Sequence, residues 1–172
     1  SIYHPVHFYR NEGSPELPVF SPRRSNTTNP MNKIVGRSAP TFYDMDNDGD
    51  YDLFIGLGGS LSGHSHPSVR SVKYYENTGS PTNPLFTARE NTANPMYGVD
   101  IGLWSVAILV DIDNDGDADM FVSTFVSILF NSGINDLWYF ENTADITVAT
   151  PPYNVFNIKG LDVPTNRARS AP

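Results

Sequence analysis

Apolar residues along this chain come in short bursts of four to eight, separated by polar, Gly-rich and Pro-rich stretches. Within a burst they tend to alternate with polar residues. Leu53 and Ile55 fall on one face of the run Tyr51 to Gly56. Period-two alternation in runs this short predicts half-buried β-strands. The runs predicted as strands are Ser38 to Tyr43, Tyr51 to Gly56, Val72 to Glu76 and Leu85 to Ala88. A second set follows at Ser105 to Val110, Ala118 to Phe125, Leu137 to Glu141 and about Asn154 to Ile158. Between strands stand turn signals such as Asn77-Thr78-Gly79, which favour chain reversal.

The two sets are copies of one another. Asp44-Met-Asp-Asn-Asp-Gly-Asp50 returns as Asp111-Ile-Asp-Asn-Asp-Gly-Asp117, 67 residues on. Tyr74-Tyr-Glu-Asn-Thr78 returns as Tyr139-Phe-Glu-Asn-Thr143, and Phe8-Tyr-Arg-Asn-Glu-Gly13 is an earlier copy. Ser14-Pro-Glu-Leu-Pro-Val-Phe20 corresponds to Ser80-Pro-Thr-Asn-Pro-Leu-Phe86, and Asn29-Pro-Met31 to Asn94-Pro-Met96. Arg37-Ser-Ala-Pro40 reappears as Arg169-Ser-Ala-Pro172. A four-stranded antiparallel unit that repeats must stack on its neighbours to bury both faces, as the blades of a β-propeller do. The expectation is an all-β chain of about two and a half such blades, an incomplete or open propeller. Residues 1–36 would supply a partial blade, equivalent to strands three and four. Residues 37–100 and 101–167 would be full blades, and 168–172 the start of another.

Composition agrees with strands and turns. Fourteen Pro and 13 Gly punctuate the chain, while only 17% of residues are charged. Hydrophobic content of 39% allows a core, and the many aromatic and β-branched residues argue against disorder. The net charge of −8 is local. Ten of the 19 acidic residues lie in 44–52 and 111–119, so the remainder is nearly neutral. There is no basic stripe of the kind that binds nucleic acid. No apolar run reaches the ~18 residues of a membrane-spanning helix, so no membrane insertion is expected.

The acidic loops carry the chemistry. Calcium takes six to eight oxygen ligands in flexible geometry. Asp44, Asp46 and Asp48 occupy loop positions one, three and five, with Asp50 at seven and Asp52 at nine. Asp111, Asp113, Asp115, Asp117 and Asp119 repeat the set. Position seven would offer its backbone carbonyl. Gly49 and Gly116 sit at the reversal, where the lack of a side chain helps. Asn47 and Asn114 precede them, at a position suited to a left-handed backbone. Five carboxylates within nine residues repel one another unless a cation intervenes. Two Ca²⁺ sites are therefore expected. Mg²⁺ and Mn²⁺ are the competing ions, but Mg²⁺ favours fewer carboxylates and retained waters.

These loops differ from an EF-hand, which needs Glu at position twelve and flanking helices. Here position twelve is Ile55 or Val122 and the flanks read as strands. The stretch Ala39-Pro-Thr-Phe-Tyr-Asp-Met-Asp-Asn-Asp-Gly-Asp-Tyr-Asp-Leu-Phe-Ile-Gly56, followed by Tyr75-Glu-Asn-Thr-Gly79, resembles the FG-GAP or VCBS repeat of integrin-like propellers and bacterial extracellular proteins. The resemblance implies propeller blades with the acidic loop joining strands one and two. The duplicated sites and the missing catalytic set imply a non-catalytic structural, adhesive or self-assembling role. About two and a half blades cannot close a ring, so the unpaired edges are expected to meet further blades of a longer chain or other copies, and a contact that does not close would propagate into a fibre. A carbohydrate-binding propeller with glycans as partners, or an accessory segment of an extracellular enzyme, are the alternatives. Millimolar extracellular calcium would fill such loops where cytosolic calcium would not, which points to an extracellular or cell-surface setting despite the absence of Cys.

Other residues of chemical interest fit simpler roles. His64 and His66 flank Ser65 in a Gly/Ser-rich loop, and His4 and His7 carry no further signal. Trp104, Trp138, Tyr139 and Phe140 could stack on sugars, but packing between blades is the expected role. Asn26-Thr27-Thr28 is a glycosylation sequon. No triad ordering, phosphate-binding Gly loop or nucleophilic Cys is present, so no catalytic residues are assigned.

Overall fold

The computed structural model describes residues 6–23, 31, 37–58, 72–99, 103–126, 136–142 and 156–159. Asn26, His4, His64, His66 and the segment 168–172 lie outside the described residues. Among the described residues the chain is all-β apart from a short 3-10 turn at Asn91–Ala93. Three antiparallel sheets follow one another along the sequence. The first pairs β1 (Phe8–Asn11) with β2 (Phe20–Arg23). The second runs in order β3 (Arg37–Tyr43), β4 (Asp52–Gly58), β5 (Lys73–Asn77) and β6 (Phe86–Arg89). The third runs in order β7 (Leu103–Val110), β8 (Asp119–Val126), β9 (Asp136–Asn142) and β10 (Phe156–Lys159). No sheet closes on itself among the described residues, and the arrangement is that of partial propeller blades.

Pairing explains where prolines are tolerated. Pro40 lies in β3 and Pro22 in β2, each at a sheet edge, where a missing N–H leaves no ladder bond unmade. The outer turns are held by the same device in two sheets. Asn11 Oδ1 accepts from the amides of Gly13 and Val19 at 3.0 and 2.8 Å. Asn77 Oδ1 accepts from Gly79 and Leu85 at 3.1 and 2.8 Å. The repeated Asn-x-Gly signal is thus a side chain that closes the β1–β2 and β5–β6 turns.

Alternation along β4 sends its side chains to two different cores. Leu53 and Ile55 meet Val6 and Met31, with Phe8, Tyr75 and Phe86 at the margin. Phe54 points the other way, into a core shared with Val72, Tyr74 and Met96 of the second unit. Ala107, Met120, Val122 and Phe140 of the third sheet close that core. Burial of each such large side chain stabilises by about 1.5–3 kcal/mol. The Met of the recurring Asn-Pro-Met sequence is buried under each joint: Met31 in the first core and Met96 in the second. Asn94 braces the latter, donating to the Val72 carbonyl at 3.2 Å and accepting from the Met96 amide at 2.9 Å.

Two further contacts lock the second sheet to the third. Thr41 Oγ1 donates to the Ala107 carbonyl at 2.6 Å. Gly56 lies so close to Ser105 that a Cβ there would overlap the Ser105 backbone. Among the described residues no helix is long and apolar enough to cross a membrane.

Candidate metal centre

The acidic stretches form the turns between β3 and β4 and between β7 and β8, at equivalent corners of two sheets. Both turns need left-handed backbone. Asn47 and Asn114 have φ of 58° and 63°, and Gly49 and Gly116 have φ of 93° and 102°. Asn tolerates this region and Gly favours it, so the Asn-Asp-Gly core winds the loop back on itself.

That winding brings alternate carboxylates together. One oxygen each from Asp44, Asp46 and Asp48 lie within 4.8 Å of one another, as do those from Asp111, Asp113 and Asp115. Backbone amides point into the same spaces. In the first loop the Asp48 amide donates to Asp44 and Asp46, and the Gly49 amide to Asp44 at 3.0 Å. In the second, the Gly116 amide donates to Asp111 at 3.2 Å. The Asp50 and Asp117 amides close onto Asp48 and Asp115 at 3.0 and 3.1 Å.

Asp52 and Asp119 stand apart from these triads. Asp52 is 1% exposed and accepts three hydrogen bonds. The Met45 amide (3.1 Å) and the Tyr74 hydroxyl (2.9 Å) donate to Oδ2, and the Asn77 amide (2.7 Å) donates to Oδ1. Asp119 accepts from the Tyr139 hydroxyl at 2.9 Å and the Asn142 amide at 2.8 Å. These two residues tie each loop to the third strand of its sheet. A carboxylate has about four acceptor sites, so each retains capacity for a further partner. Tyr74, Tyr139, Asn77 and Asn142 belong to the recurring Tyr-x-Glu-Asn motif; sequence reasoning did not place them at the loops, and the recurrence of that motif is the signal that could have found them.

Asp50 and Asp117 differ again. They are 6% and 8% exposed, and Oδ1 of each is buried with no hydrogen-bond partner. An unpartnered buried carboxylate oxygen is costly, and here it occurs at the same position of both loops. No Lys or Arg among the described residues pairs with a loop aspartate: the ion pairs Arg23–Glu12 and Arg89–Glu76 lie elsewhere.

Proton affinities report the same deficit of positive charge. Burial, above all, raises the Asp52 carboxyl to about 6 against the pull of its three donors. Burial followed by the neighbouring Asp115 and Asp119 raises Asp117 to about 6. Asp46, Asp50 and Asp113 are raised too, each by desolvation first and by adjacent carboxylates second. Burial and the Asp119 carboxylate push the Tyr139 hydroxyl up to about 12. Tyr74 is raised for the same reasons, with Asp52 as the neighbour. A divalent cation would reverse each of these penalties. The oxygen-only donor set fits a hard cation such as Ca²⁺.

The aromatics take structural positions. Phe140 is fully buried between sheets, and Trp138 packs against the same core. The Tyr139 ring lies tilted against Phe121 with centroids 5.0 Å apart, and its hydroxyl holds Asp119.

Residues 44–122 match the family described as the FG-GAP-like repeat. The matched span opens on Asp44 and ends within β8, so it includes both loops. No curated protein and no solved structure matches the chain.

Proposed function

We propose that this chain is a non-catalytic, extracellular, calcium-binding repeat module, in which one Ca²⁺ per acidic loop rigidifies stacked β-sheets used for structure, adhesion or assembly. The reading is supported most by the paired orphan oxygens. Asp50 Oδ1 and Asp117 Oδ1 are buried and unpartnered beside matched carboxylate triads. Asp44, Asp46 and Asp48, and Asp111, Asp113 and Asp115, would supply the first ligands. Asp52 and Asp119 would link each ion to its sheet. The FG-GAP-like match over 44–122 supports the repeat architecture and the extracellular setting.

Stacking partners would be further sheets of the same kind, from a longer chain or from other copies. On the third sheet Val106, Ile108, Val110 and Leu137 are exposed. By pairing register they share a face with Phe121 and Tyr139, the face that the second sheet turns toward its neighbour.

Thermal unfolding with millimolar calcium, millimolar magnesium or chelator tests this reading. Binding at a hundredfold excess over Kd adds about 2.7 kcal/mol per site, so calcium should raise the midpoint well above both other conditions. Coincident curves in calcium and chelator would refute it.

A further inference from the structure

The two acidic loops are near-identical in sequence, yet they differ in what they touch. Position two of the first loop is Met45, 5% exposed and part of the core between the second and third sheets. Position two of the second loop is Ile112, 56% exposed. Met45 lies between Asp44 and Asp46, so the backbone that aims those carboxylates also aims its side chain. Its amide donates to Asp52 Oδ2, the oxygen that also takes the Tyr74 hydroxyl. Tyr74 in turn stacks on Phe54, with centroids 4.8 Å apart, inside the same core. Two side chains of that joint are thus positioned by the loop 44–52. In the second loop the matching Ile112 faces solvent, and Tyr139 is only half-buried.

We infer that the first loop is a latch for the joint between the second and third sheets. Cation binding at 44–52 and docking of the third sheet favour each other through Met45 and Tyr74, whereas Ile112, the matching side chain of the second loop, takes no part in this joint. The inference rests on the calcium reading above. Coupling of this kind is reciprocal: the factor by which the docked joint strengthens the ion at the first loop equals the factor by which that ion strengthens the joint. Met45→Ala removes the seated side chain and leaves every carboxylate in place. Ile112→Ala makes the same change at the uncoupled position.

The test is calorimetric titration of the full chain with calcium chloride, begun with the unmodified protein. Met45→Ala is then read in an Asp111→Asn/Asp113→Asn background, which leaves the first loop alone. Ile112→Ala is read in the converse Asp44→Asn/Asp46→Asn background. Met45→Ala is expected to weaken binding roughly fivefold or more, the lower end of typical coupling. Met45→Leu, which conserves volume, should restore affinity to within about twofold, and Ile112→Ala should stay within about twofold of its own background. If Met45→Ala fails to fold, Tyr74→Phe keeps the ring and removes the hydroxyl on Asp52, and the same weakening is expected. Equal effects of Met45→Ala and Ile112→Ala, or unchanged affinity in Met45→Ala or Tyr74→Phe, would overturn the latch while leaving calcium binding intact. No calcium uptake by the unmodified protein would overturn both.

Discussion

Gly56 marks the closest approach of the second and third sheets. A Cβ built on it would fall 2.6 Å from the Ser105 carbonyl carbon and 3.1 Å from Ser105 Oγ, and closer still to the carbonyl oxygen. Carbon atoms in contact normally stand about 3.5–4.0 Å apart. Gly56→Ala therefore forces the sheets apart by about 1 Å, across a core in which Phe54, Met120, Val122 and Phe140 exclude solvent. Overpacking of this sort costs about 1–3 kcal/mol, and rigid backbone on the far side places it at the upper end. Alanine recovers about 0.4–1 kcal/mol by restricting the unfolded chain. The net loss is about 2–2.5 kcal/mol, or roughly 4–10 °C in Tm for a chain of this size. Guanidinium denaturation reads the change as a lower midpoint at constant slope. Ser123 occupies the same position on β8 and is exposed, so Ser123→Ala should stay within about 0.5 kcal/mol. A Gly56→Ala protein as stable as the unmodified one would refute this packing of the two sheets.

The remaining predictions concern the same joint and the loops. Phe54→Ala should cost about 3–5 kcal/mol; Phe121→Ala, at the equivalent but half-buried position of the third sheet, should cost less than half as much in the same denaturation assay. Thr41→Val removes the bond to the Ala107 carbonyl and should lose about 0.5–1.5 kcal/mol; a neutral result would place the hydroxyl in solvent. Asp52 and Asp117 have folded values near 6, above the unfolded value of about 3.9. A raised carboxyl contributes stability that is complete below the unfolded value and is lost as pH rises through the folded one. In chelator, Tm should therefore fall between pH 4.5 and pH 7. Saturating calcium should reverse the slope, because the ion replaces those protons, and scanning fluorimetry at several pH values distinguishes the two profiles.

Much of the architecture was legible because the chain repeats. Recurrence of the Asp loop and the Tyr-x-Glu-Asn motif placed four strands in each of two units, and the structure pairs them as antiparallel sheets. Boundaries moved by one or two residues for local reasons. β4 begins at Asp52 rather than Tyr51, which remains in the exposed end of the loop. β7 begins at Leu103, two residues before the expected start, and carries Trp104 at φ 58°, a conformation that no propensity assigns to Trp. The left-handed Asn47 and Asn114 were legible from residue type. The partners of Asp52 were not, because Tyr74 and Asn77 lie 22 and 25 residues away and meet it only once β4 and β5 find their register. Nor could sequence separate Met45 from Ile112. Both are apolar at the same loop position, and their burial depends on whether another sheet follows on that side.

Two cations held in two turns carry the proposed function. A crystal structure grown in millimolar calcium, with anomalous data collected at long wavelength, tests this most directly. One anomalous peak is expected in each loop, ringed by oxygens of Asp44, Asp46 and Asp48 and of Asp111, Asp113 and Asp115 at about 2.3–2.6 Å. Well-ordered loops without a peak, their carboxylates turned outward to water, would contradict it.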